Sequence, residues 1–205
     1  MKTVAIVDYG MGNLDSVGRA VEECGGAPLL VRTASELGQA GSVILPGVGS
    51  FTQGMRNLRV SGMADALQEY VVERGMPFLG LCLGMQLLAT RGEEGGGEAG
   101  LGWISGEVAR LRPKGEDERI PHVGWNEVVC ERESPLFAGL DGRRDFYFVH
   151  SYTLACEDEV DVLATTPYGG GFTSAVERGH VRGLQFHPEK SQRAGFQVLR
   201  NFIGL

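Results

Sequence analysis

The sequence predicts an α/β fold: a three-layer sandwich with a mixed, mostly parallel central sheet and added antiparallel hairpins. Three observations lead there. Short apolar runs alternate with segments of helical spacing through the first half, which implies parallel strands with helices on both faces. The second half changes to short strands separated by turn residues, the pattern of antiparallel hairpins. No linker-like stretch divides the halves, so residues 1–205 are expected to form one domain.

The elements follow in order. Val4 to Asp8 is a buried strand running into the turn Tyr9-Gly10-Met11-Gly12. Leu14, Val17, Val21 and Cys24 recur at helical spacing until Gly25-Gly26 stops them. Pro28 to Val31 is a second strand, and Thr33 with Glu36 has the spacing of a capping box for a short helix. Ser42 to Leu45 is a third strand, ending in Pro46-Gly47-Val48-Gly49. Met63, Leu67, Tyr70 and Val71 mark the next helix, closed by Gly75. Pro77 to Leu81 is a fourth strand, leading into Cys82 and a helix through Met85 and Leu88. After a loop from Arg91 to Gly100, strands are expected at 106–111, 120–129, 145–151, 161–165, 171–177 and 181–186, and a last helix at 191–202.

Composition narrows the classes of function. The balance of 19 Lys and Arg against 26 Asp and Glu gives a net charge of −7 with no basic tract, so nucleic acid is not an expected partner. No apolar run approaches the ~20 residues of a membrane span. Met1-Lys2 leads straight into a strand with no leader pattern, so the expected location is the cytoplasm and no membrane contact is expected. Cys24, Cys82, Cys130 and Cys156 form no CxxC pair and no Cys/His cluster, which argues against a zinc site and a disulfide framework. Neither a metal nor an organic cofactor is expected.

The most informative segment is Gly80-Leu81-Cys82-Leu83-Gly84, between a buried strand and a helix. A nucleophile flanked in this way by glycines is the thiol form of a nucleophile elbow: the turn is too sharp for side chains two residues either side. It lifts the sulfur to the start of the helix, whose positive end favours thiolate. The Leu83 N–H faces the same space and can donate to an oxyanion. The other three cysteines read as small buried hydrophobes.

A thiol with a pKa of ~8.5 needs a base at neutral pH. His187, in Gln185-Phe186-His187-Pro188-Glu189, directly follows a strand. Pro188 biases it to extended backbone, and residues two apart in extended chain project the same way. Glu189 can therefore hold one ring nitrogen while the other faces the thiol, the logic of a triad. Pro46-Gly47-Val48-Gly49 also follows a strand and can present a second oxyanion donor, Val48 N–H, or flip a peptide.

These three pieces in this order resemble the class I (triad) glutamine amidotransferases, and within them the glutaminase subunits of imidazole glycerol phosphate synthases. Segments 8–14, 45–49, 80–86, 121–126, 147–152 and 185–191 carry the likeness over nearly the whole chain. Departures are small: a glycine-rich stretch at 91–97, and Ser50 where a small apolar residue is common. The resemblance implies hydrolysis of the glutamine side-chain amide, with Gly49, Gln86, Ser151 and Tyr152 gripping the substrate. It implies a heterodimer with a TIM-barrel cyclase that takes the ammonia and acts on PRFAR, giving imidazole glycerol phosphate and AICAR. Asn13, Trp125, Tyr147 and Lys190 match positions that face such a partner.

Taken alone, Gln86 also fits a solvent-facing helix position, Tyr152 a hairpin strand and Trp125 the core. Three other readings of the whole remain at this point. The chain can be a different triad amidotransferase, although the Gly-Trp-Asn and Val-His-Ser-Tyr stretches argue against it. It can also be a thiol hydrolase or peptidase, or a non-catalytic subunit, which the intact Cys82, His187 and Glu189 argue against.

Overall fold

The computed structural model describes residues 1–114, 118–140 and 144–205. The first half runs β1 (Thr3–Val7), α1 (Leu14–Glu23), β2 (Ala27–Val31), α2 (Ala34–Leu37), β3 (Ser42–Leu45), α3 (Phe51–Val60), α4 (Met63–Leu67), β4 (Phe78–Leu81) and α5 (Leu83–Gln86). The second half runs β5 (Ala89–Gly92), β6 (Glu98–Ala99), β7 (Ile104–Arg110), β8 (His122–Glu127), β9 (Val129–Cys130), β10 (Asp145–His150), β11 (Tyr152–Cys156), β12 (Val162–Thr166), β13 (Phe172–Arg178), β14 (Val181–Leu184) and α6 (Gln192–Gly204).

The main sheet has eight strands in the order β2-β1-β3-β4-β14-β13-β12-β9. The first five are mutually parallel and the last three antiparallel, the mixed sheet the sequence predicts. Alternation along each parallel strand divides the core into two layers. Val4, Ile6, Ile44 and Leu79 join Val17 and Val21 of α1 and Val198, Leu199 and Phe202 of α6 on one face. Ala5, Val7, Val43 and Leu45 meet Phe51, Met55 and Leu58 of α3 and Met63 and Leu67 of α4 on the other. The local signals hold where they are strongest. The capping box forms at Thr33, whose N–H donates to Glu36 Oε2 at 3.0 Å.

Four details differ from the expectation. Helix α3 was not expected, although Ser50 caps it by accepting from Gln53 N–H. Beyond α4 the chain winds on in wider π turns through Glu73 before Gly75, at φ +74°, ends it. Helix α5 is a single turn and stops before Leu88, because the chain must enter β5 at Ala89, inside the stretch expected to be helix and loop. The added strands do not all extend the main sheet: β8 and β10 make a separate ribbon, and β11-β7-β5-β6 make a second sheet in which β5 and β7 are parallel.

The site follows from the middle of the main sheet. Strands β3, β4 and β14 lie side by side and parallel, so their C-terminal ends open on one edge, where such sheets keep their functional residues. Pro46–Gly49, Cys82 and His187 follow those three ends. No helix among the described residues is long and apolar enough to cross a membrane.

Candidate active site

The elbow is formed as its glycines require. Cys82 sits at φ +52°, ψ −106°, a strained backbone for a residue with a side chain. Its N–H donates to Leu184 O at 2.7 Å, and its carbonyl accepts from Met85 N–H at 3.0 Å and Gln86 N–H at 3.2 Å. A Cβ on Gly80 would fall on the Gly84 carbonyl, and one on Gly84 would fall on the Leu45 carbonyl. Cys82 is 6% exposed at the start of α5.

His187 and Glu189 pair, with Nδ1 donating to Oε1 at 2.8 Å, but not across extended chain: His187 is extended and caps a single 3₁₀ turn, Pro188–Lys190, that carries the carboxylate. Both side chains are almost wholly buried. His187 Nε2 forms no hydrogen bond, so it is left for the sulfur and a substrate. Burial pulls the His187 pKa down, but the Cys82 sulfur and the Glu189 carboxylate outweigh it, and the net shift is upward. The arrangement therefore favours imidazolium beside the sulfur, with the proton held where a leaving amine can take it.

The two expected oxyanion donors stand differently. Val48 is exposed on a narrow cleft that it shares with Gly47, His187 and Glu189. Leu83 N–H is committed: it donates to the Gly47 carbonyl at 3.3 Å. In this state it cannot take an oxyanion. Gly49, next to Val48, is exposed and precedes the α3 cap at Ser50.

Of the expected substrate contacts, Gln86 is not solvent-facing but 5% exposed. Its Nε2 donates to Tyr152 O at 2.9 Å and to Gln185 Oε1 at 3.0 Å, which uses both hydrogens and leaves Oε1 free to accept. Ser151 and Tyr152 are half-buried at the corner between β10 and β11. The expected partner-facing residues form a row. Asn13 and Lys190 share the cleft with Val48, the Lys190 ammonium lies 5.8 Å from the Tyr147 ring, and that ring meets Trp125 edge-on at 6.3 Å. Trp125 is 49% exposed, so it is not part of the core.

Four residues at the site were missed in the sequence. Gln185, two before His187 in the bend that follows β14, donates to the Cys82 sulfur at 3.6 Å. Tyr9 buries its hydroxyl against Gly47 without a partner, and burial, with Cys82 adding to it, pushes its pKa far above the tyrosine range. His122 and His150 are buried and bonded to each other at 3.0 Å. The His-x-Gly-Trp-Asn and Val-His-Ser-Tyr stretches that hold them were signals of family, with no local rule assigning the rings a task.

Residues 5–204 match the family described as glutamine amidotransferase class-I. A protein of Moorella thermoacetica described as imidazole glycerol phosphate synthase subunit HisH is 49% identical over 98% of this chain and 94% of its own length. One of the same description from Zymomonas mobilis is 48% identical over 98% of this chain and 95% of its own. Among solved structures, a chain of PurLQS from Thermotoga maritima superposes with a TM-score of 0.76 over 100% of this chain and 99% of its own, at 23% identity, a likeness of fold. With a matching profile along almost its entire length and relatives close to half identical, this chain belongs to the class I glutamine amidotransferases, in the branch of the imidazole glycerol phosphate synthase HisH subunits.

Proposed function

We propose that this chain hydrolyses glutamine to glutamate and ammonia at Cys82 and passes the ammonia to a cyclase subunit. There it would be used with PRFAR to make imidazole glycerol phosphate and AICAR in histidine biosynthesis. The observation that carries the reading is the His187–Glu189 pair at 2.8 Å acting on a sulfur held in a strained elbow.

Cys82 Sγ attacks the amide carbon of glutamine, and the C=O electrons move to oxygen. His187, oriented by Glu189, gives its proton to the departing nitrogen, and ammonia leaves behind a γ-glutamyl thioester. A water, deprotonated by the now neutral His187, attacks the thioester; glutamate leaves and the sulfur is restored. Gln86 Oε1, Gly49, Ser151 and Tyr152 hold the substrate. Ammonia lost to water would become ammonium, which is no nucleophile, so a partner must cover the site. The row Asn13, Lys190, Tyr147 and Trp125 beside the cleft is where a TIM-barrel cyclase would dock.

The oxyanion needs Leu83 N–H, and that donor is occupied by the carbonyl of the Gly47–Val48 peptide. Turning this one peptide over removes the Gly47 carbonyl from Leu83 and swings Val48 N–H inward, so two donors appear in one step. The cyclase and its ligand would favour the turned state, keeping glutamine intact until ammonia can be used. Cys82→Ala tests the assignment. The complex should lose glutamine-dependent synthesis by about 10⁴-fold or more and still run on added ammonium. Glutamine turnover at the wild-type rate would reject the nucleophile, and equal glutaminase rates with and without liganded cyclase would reject the switch.

A further inference from the structure

Behind the glutamine pocket runs a chain of hydrogen bonds whose proton positions can be deduced. His150 Nδ1 lies 2.8 Å from the Tyr152 carbonyl, an acceptor only, so Nδ1 carries the hydrogen. The neutral ring then has an acceptor at Nε2, which lies 3.0 Å from His122 Nδ1, so that nitrogen must donate. His122 Nε2 is left as an acceptor, and Asn126 Nδ2 donates to it at 3.2 Å. The Asn126 amide cannot simply turn over, because its Oδ1 already accepts from Glu127 N–H at 2.8 Å. Every tautomer is thus set from one end to the other.

The surroundings keep both rings neutral. Burial lowers both pKa values, that of His150 to about 3. His122 stacks on the Tyr168 ring at 4.0 Å, with Phe148 and Phe172 against it. Of the titratable neighbours, Glu118 opposes the lowering at His122, while His122 and His187 reinforce it at His150.

The chain ends where the pocket begins. His150 and His122 sit opposite each other in the β8–β10 ribbon. The bond from the His150 ring to Tyr152 O closes the corner between β10 and β11, and Ser151 is the residue inside that corner. The second lone pair of the Tyr152 carbonyl takes the Gln86 amide. At the other end, Asn126 follows Trp125, exposed on the same strand.

We propose that His122 and His150 are positioning residues for the glutamine pocket: the chain Asn126–His122–His150 fixes the corner carrying Ser151 and Tyr152 and, through the Tyr152 carbonyl, the Gln86 amide. The strand that carries Trp125 thereby sets how well glutamine is held. The proposal rests on the reading of Gln86, Ser151 and Tyr152 as glutamine contacts and adds what holds them in place.

His122→Phe keeps a ring in the aromatic cage and removes the donor to His150. In the complex with liganded cyclase, the KM for glutamine should rise about tenfold, the worth of one buried hydrogen bond. Its kcat should move less than about threefold, and ammonium-dependent synthesis should stay at the wild-type rate. His122→Asn, whose Nδ2 occupies the place of ring Nδ1, should recover most of the KM. An unchanged KM in His122→Phe, or equal defects in both variants, overturns the proposal. Should His122→Phe not fold, nitrogen NMR of the wild-type histidine rings decides: both His122 and His150 should be Nδ1–H tautomers at neutral pH, and an Nε2–H ring at either position overturns it. A wild-type complex without glutaminase activity would instead reject the proposed function, while the tautomer measurement would still judge the chain.

Discussion

At Gly80–Gly84 several backbone hydrogen bonds pin the chain, while at Pro46–Gly49, one strand away, the bond from Leu83 N–H to Gly47 O ties down the turn's own peptides among the described residues. The elbow gives Cys82 a backbone bond to β14 at 2.7 Å and two bonds from α5 to its carbonyl, and it leaves no room for a Cβ at either glycine. The neighbouring turn packs Gly47 as tightly, against Tyr9 and Leu83, but it leaves Val48 and Gly49 exposed, and its bond from Leu83 N–H to Gly47 O is long at 3.3 Å. In the proposed mechanism the Cys82 turn and the Gly47–Val48 turn serve the same step, yet only the Cys82 turn is preset. On that proposal control would sit in the part that moves at small cost, leaving the strained part undisturbed.

The largest break in this contrast comes from filling a glycine. Gly84→Ala drives a methyl into the Leu45 carbonyl, backbone against backbone, and should destabilise the protein by about 4 kcal/mol or prevent folding. Gly49→Ala meets only the flexible end of Met11 at 2.6 Å, but at φ +116°, so a cost of about 1 kcal/mol is expected. Urea denaturation of the two variants checks the difference; equal losses would mean that the two turns are equally fixed. Next in size is Val48→Pro, which removes the N–H proposed as the second oxyanion donor from an exposed position. It should lower kcat for glutamine by about 10²–10³ with little change in the urea midpoint. A kcat within twofold of wild type would remove Val48 from the oxyanion hole.

The same contrast explains what the sequence discloses. The elbow, the His-Pro-Glu pair and the capping box at Thr33 are legible because each is a rule of spacing: the residues that enforce the geometry lie within a few positions of those that use it. Helix α3 was missed although Ser50 and Gln53 stand at cap spacing, because Gly54 within it weakens the helical pattern. Gln185 reaches Cys82 across 103 residues, and His122 reaches His150 across 28 by strand pairing, so neither contact has a local signature. The state of the Gly47 carbonyl is hidden for a different reason. A Pro-Gly-Val-Gly turn permits both orientations of its central peptide, and the position of Leu83, at the start of α5, selects one.

Tyr9 stands between the two turns and gives the smallest and sharpest test. Its hydroxyl abuts Gly47 on one side, and a Cβ placed there would also meet Leu83 and Gly84 of the elbow. The oxygen is buried and makes no hydrogen bond, so it has given up its water for nothing in this state. The upward pKa shift keeps the group a protonated hydroxyl through the physiological range, so no charge enters the comparison. Tyr9→Phe removes the unsatisfied atom and keeps the ring in its place in the core. The resting protein should gain about 1 kcal/mol, read as a higher urea midpoint at unchanged slope. A loss of stability would mean that the hydroxyl has a partner in solution and that the turn at Gly47 is held from both sides, which would erase the contrast between a pinned elbow and a free oxyanion turn.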